Sequence, residues 1–185
     1  MNNSFGIDGV HWIDAETFHD RRGSLSRLID ENLTRDIGFK SEWRQAFLSR
    51  TKKRNTIRGL HYQRHEGKEG KLISPVSGDI YWVAVDLRGG SSTYAKYASA
   101  TISSDNNRSL LVEPGFAHGC FSISDETDIY ILSSADPAPN YGSGIRWDDP
   151  QLAIDWPEFD GEVIISEAHA DFPSFAEFQR TVGAL

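Results

Sequence analysis

The chain has 185 residues and a mass of 20.7 kDa, about the length of one domain. With 38% hydrophobic and 25% charged residues, its composition is that of an ordinary globular protein with one core. Acids outnumber bases by 27 to 19, and the net charge of −8 argues against a general nucleic-acid or membrane-surface binder. A phosphorylated small molecule stays within reach, because a few local arginines suffice to hold a phosphate. The single cysteine, Cys120, can form neither an internal disulfide nor a zinc cluster, and a reducing cytoplasm is the simplest setting. No apolar run approaches the ~20 residues of a membrane span, and Met1-Asn2-Asn3-Ser4 lacks the basic start of a signal peptide.

In chain order, residues 32–38 read as a short helix. Residues 71–76 and 79–87 read as strands joined through Gly78, the second rich in β-branched and aromatic side chains. Residues 93–102 are a further strand, closed by the polar turn 103–107. The run 109–113 ends at Pro114-Gly115, and 116–124 and 127–133 are two more strands around Asp125-Glu126. A last helix spans 174–182, with Ser174 and Glu177 spaced as a capping box. Strands every ~8–12 residues with turn chemistry between them predict one all-β domain over 1–185, a sandwich or barrel with short helices at its margins.

Six histidines can be weighed singly. His11 and His19 lie among polar residues and read as surface groups. His61 and His65 share a face if 58–65 is a strand, and Glu66 and His118 would complete a metal set. The paired His-x-His of a small metal-binding β-barrel is broken, however, because Gln63 stands at its second position, so no metal is predicted. Acid–base chemistry fits better. Histidine is the natural base for a carbon-bound proton beside a carbonyl, and the enolate that forms needs a cation nearby. His61 supplies the base, Lys71 the cation, and Tyr130 a weak acid to give a proton back. Each also has a plain structural reading: a satisfied core polar group, a solvated strand end and a core aromatic.

Several motifs stand in order along the chain: Asp20-Arg21-Arg22-Gly23, Arg58-Gly59-Leu60-His61-Tyr62-Gln63, Gly70-Lys71-Leu72, and the run from Val83 through Asp86 to Arg88. Pro114-Gly115-Phe116-Ala117-His118-Gly119, Trp147-Asp148-Asp149-Pro150 and Ile154-Asp155-Trp156-Pro157 follow. Together they resemble the dTDP-4-dehydrorhamnose 3,5-epimerases, sugar-nucleotide epimerases of the cupin superfamily. The resemblance implies a cupin-like jelly-roll β-sandwich, a homodimer that exchanges N-terminal strands, a nucleotide-sugar substrate and no cofactor. It assigns His61 as base, Lys71 as the group steadying the enolate and Tyr130 as the returning acid. Arg22 and Arg58 would contact the diphosphate, with Gln63 and His118 also in the substrate shell.

Departures from the family pattern concern the substrate-reading shell and the partner of the base. Where the family has an Asp beside the catalytic histidine, this chain has His169, in Ser166-Glu167-Ala168-His169. An imidazole offers no anionic partner to an imidazolium, so Asp171 or Asp86 is expected within hydrogen-bond distance of His61. Arg27 replaces a family Glu, and Phe47 replaces an Asn in Gln45-Ala46-Phe47. A second family tyrosine falls at Ala135 or Asp136, with Tyr141 further along. The expected activity is epimerisation beside the C-4 ketone of a 4-keto-6-deoxy nucleotide sugar. The alternatives are a weakened relative that only binds a nucleotide sugar or a protein partner, and a metal-dependent cupin.

Overall fold

A computed structural model describes residues 5–39, 42–64, 67–138, 140 and 142–185. His65, Glu66 and Tyr141, like Met1 to Ser4, lie outside the described residues. Twelve strands are present among the described residues: β1 (Val10–Asp14), β2 (Glu16–Asp20), β3 (Gly23–Arg27), β4 (Gln45–Thr51), β5 (Ile57–Gln63), β6 (Lys71–Ser77), β7 (Asp79–Asp86), β8 (Tyr97–Ser103), β9 (Arg108–Val112), β10 (Phe116–Ser122), β11 (Thr127–Ser133) and β12 (Gly142–Gly144). Helices α1 (Glu31–Asp36), α2 (Glu167–Ala170) and α3 (Phe175–Thr181) are short.

Ten strands form two five-stranded sheets, in the orders β1-β9-β6-β11-β4 and β12-β5-β10-β7-β8, and β2 and β3 make a separate hairpin. All named strand pairs are antiparallel. This is a β-sandwich, one of the two forms that the strand spacing predicts, and it has the cupin-like form that the family resemblance implies. Strand alternation explains which residues fill it. Along β7, Ile80, Trp82 and Ala84 point between the sheets, with Ile73 and Ile129 across from them. Val83 and Val85 point outward and are covered by Phe175 and Phe178 of α3. Both faces of β7 are therefore buried, which is why its sequence is nearly continuous in apolar residues. Outside the first sheet, Leu72, Leu111 and Leu132 are covered by Phe39.

The predicted helix at 174–182 is α3, where the Ser174 side chain accepts from the Glu177 backbone N–H. The expected strand 93–102 begins only at Tyr97, because Ser91 to Lys96 form tight turns. The hairpin β2–β3, the edge strands β1 and β4, and the short β12 carry no apolar alternation strong enough to have marked them as strands.

One glycine decides how β5 can run. Gly59 has φ +120°, and a Cβ placed on it would lie 2.7 Å from the Gly119 Cα of β10. The two backbones touch there, beside a register shift between His118 and Cys120. Gly59→Ala is expected to destabilise the fold by ~1–3 kcal/mol through strain and strand separation. A lowered urea midpoint measures this; an unchanged midpoint would show that the two strands can part freely.

Candidate active site

The functional side chains converge on a cavity of about 200 Å³ between the two sheets. Arg58 and His61 reach it from β5, and Trp82, His118 and Cys120 from the neighbouring β7 and β10. Positions 58 and 61 would face opposite ways in a regular strand. The irregular stretch around Gly59 and the shifted pairing with β10 bring both to the cavity. Phe47, Ser49, Lys71, Ile129 and Ile131 form the facing wall, from β4, β6 and β11.

His61 is largely buried, and its Nε2 lies 2.9 Å from Nε2 of His169. Two neutral imidazoles at this distance share one proton, so one ring donates and the other accepts. Burial chiefly, then the neighbouring His169, Lys71 and Arg58, push the His61 pKa down to about 3. Helix α2 delivers His169, and Phe172 wedges beside both rings, stacked on His169 at 5.0 Å and edge-on to His61 at 5.7 Å. The Phe172 ring fits because Gly144, paired with His61 in β12, has no side chain; a Cβ there would run into the ring.

Neither expected carboxylate reaches His61. Asp86 is fully buried, but Arg88 donates to it at 2.9 and 2.8 Å and the Ser91 and Thr93 hydroxyls at 2.6 Å, so it clamps the loop after β7. Those hydrogen bonds hold its carboxyl at about 2 against the opposing effect of burial. Asp171 is exposed at the end of α2, its backbone bonded to Glu167. His169 itself takes the place beside the base.

Lys71 enters the cavity from the start of β6, and its Nζ pairs with Glu69 Oε1 at 3.0 Å. Both side chains are well covered, at 17% and 10% exposure, and Glu69 Oε2 also accepts from the Ser133 hydroxyl. Sequence reasoning missed Glu69, since a carboxylate two residues before a lysine is indistinguishable from a surface pair. Arg58 lines the cavity with its Nε donating to Thr51 Oγ1 and one terminal nitrogen donating to the Arg50 carbonyl, both at 3.0 Å. His118 is buried, stacked on Trp82 at 5.6 Å and opposite His61 in the strand pairing. Burial foremost, then Lys71 and His61, hold the His118 pKa well below its usual value.

Three expected site residues lie elsewhere. Tyr130 sits between Ile129 and Ile131, which face the cavity, so its own ring points to the other side of β11. There it packs with Phe39, Leu72 and Leu132. Arg22 is 84% exposed at the β2–β3 turn and ion-paired to Asp20 at 2.6 Å, away from the cavity wall. Gln63 lies beyond the cavity, its amide about 3.6 Å from where a Gly142 Cβ would stand. Among the described residues no three His, Cys, Asp or Glu side chains gather as a metal site.

Residues 4–177 match the family model described as dTDP-4-dehydrorhamnose 3,5-epimerase. The chain is 37% identical over 172 residues to the protein of that name from Methanothermobacter thermautotrophicus, covering 92% of each. Among solved structures it resembles the 4-keto-6-deoxy sugar epimerase from the novobiocin gene cluster of Streptomyces spheroides, with 32% identity and a TM-score of 0.89 over 97% of this chain and 89% of that one. It also resembles the Legionella pneumophila dTDP-6-deoxy-D-glucose-3,5-epimerase in complex with dTDP-4-keto-L-rhamnose, at 31% identity and TM-score 0.86, over 91% and 89% of the two chains.

Proposed function

The chain belongs to the dTDP-4-dehydrorhamnose 3,5-epimerase family, and from that premise we propose that it epimerises a dTDP-linked 4-keto-6-deoxy hexose at carbon beside the ketone. One observation carries the reading: a base, His61, and a cation, Lys71, line the same cavity between the sheets. A proton beside a ketone is removable when the resulting enolate is held by positive charge. His61, kept neutral near pH 7 by its burial, takes that proton, and Lys71 steadies the oxyanion. Arg58, which lines the same cavity as His118, contacts the phosphate-bearing end. The mechanism uses protein side chains alone, with no cofactor or metal.

A homodimer belongs to the same reading. Phe18 and Leu25 on the β2–β3 hairpin and Phe47 and Leu48 on the edge strand β4 are between 45% and 72% exposed in one chain, and a partner subunit would cover them. Arg22 on that hairpin would then meet substrate at the subunit boundary. The protein works as one domain in the cytoplasm, where its free and buried Cys120 stays reduced.

The test is proton exchange. Incubated with dTDP-4-keto-L-rhamnose in deuterated water, the protein is expected to place deuterium at the carbons flanking the ketone, read by proton NMR. Tight binding of the nucleotide sugar without exchange would instead establish a relative that binds and does not catalyse.

A further inference from the structure

Inversion at carbon requires the proton to leave on one face of the sugar and arrive on the other, so a base on one wall needs an acid on the facing wall. His61 stands on the sheet containing β5 and β10. The opposite wall presents Phe47, Ile129 and Ile131, which have no proton to give, and two donors, Ser49 and Lys71. No phenol lines the cavity among the described residues, and Tyr130 faces away from it. A serine hydroxyl is a far weaker acid than an ammonium.

We propose that Lys71 is the acid that returns the proton to carbon, and that Glu69 is its positioning residue. The proposal rests on the epimerase reading above. Its chemistry balances without a further reagent. His61 removes the proton, the C–H pair becomes the enolate, and the ammonium of Lys71 steadies the charge. One N–H proton of Lys71 then passes to the same carbon from the opposite face, restoring the ketone and leaving a neutral amine. Water carries the proton from the His61 imidazolium back to the amine. In water an alkylammonium and a phenol are acids of nearly equal strength, about 10.4 and 10, so an ammonium can fill the role that a tyrosine would. Glu69 fixes where it does so. Its two oxygens are held by Lys71 at 3.0 Å and by the buried Ser133. The adjoining Gly70 backbone N–H is bound to Ser134 Oγ at 2.8 Å.

The experiment scores deuterium uptake and inversion separately, with dTDP-4-keto-L-rhamnose in deuterated water. Lys71→Arg keeps the cation but offers a guanidinium, too weak an acid at a pKa above about 12. It is expected to exchange within about tenfold of wild type while losing inversion by about 100-fold or more. Glu69→Gln is expected to lower the ratio of inversion to exchange, which a purely structural role would leave fixed. Ile131→Tyr, which puts a phenol on the cavity face of β11, is expected to recover inversion in the Lys71→Arg background. Tyr130→Phe and Tyr141→Phe are expected to invert as wild type does. Wild-type inversion by Lys71→Arg, or its loss in either tyrosine variant, overturns the role of Lys71 alone. A wild-type protein that neither exchanges nor inverts overturns the epimerase reading and the acid with it.

Discussion

His61→Ala is expected to lower deuterium exchange beside the ketone by ~10²–10⁴-fold, the usual worth of a positioned general base. The expectation follows from geometry more than from identity. His61 is the imidazole that both lines the cavity and has a second ring at 2.9 Å to hold it. His118 lines the same cavity, but it is buried and stacked on Trp82. Removing His61 also empties space beside Phe172, so His61→Asn, of similar shape and unable to act as a base near neutral pH, serves as the control. Both variants should lose exchange while retaining affinity for dTDP, measured by calorimetry. Exchange at the wild-type rate in His61→Asn would remove His61 from the reaction.

The sequence made the sandwich and the cavity legible because its strongest signals lie in the strands that build them. β6 and β7 are apolar runs closed by glycine turns, β10 follows Pro114-Gly115 and is parted from β11 by Asp125-Glu126, and the Arg58 to Gln63 motif is specific enough to place His61. What stayed hidden was orientation. In β11, Ile129 and Ile131 face the cavity while Tyr130 and Leu132 face a second apolar cluster. With both faces buried, no hydrophobic period distinguishes the side of the tyrosine from that of its neighbours. The partner of His61 stayed hidden for another reason. Asp171, two residues past the family position, and Asp86, on an interior strand, were the expected carboxylates, yet Asp86 is occupied by its own loop and Asp171 stays exposed at the end of α2, and long-range packing through Phe172 and Gly144 decides what meets His61. Edge strands such as β4 stayed hidden too, since half their side chains are exposed in a single chain.

His169→Asp is expected to raise the exchange rate by ~10–100-fold, the usual influence of the group that orients and charges a histidine. In the wild-type site His169 can fix the orientation of His61 but cannot favour its protonated form, and with burial it contributes to holding the pKa down to about 3. A base acts in its deprotonated form. A pKa near 3 therefore leaves His61 competent at all pH values above about 4, and exchange should show no acid limb from this group in that range. The same depression makes it a weak base, because the imidazolium formed on proton abstraction is poorly stabilised beside Lys71 and Arg58. A carboxylate at position 169 would stabilise that imidazolium and raise the His61 pKa. The pH–rate profile should then gain an acid limb that moves upward toward neutrality as the plateau rises. His169→Asn keeps a hydrogen-bonding group without the charge, so it should change neither the plateau upward nor the limb. Should His169→Asp leave both where they are in wild type, the 2.9 Å contact would be a packing contact of α2 against β5 and not the control of the base.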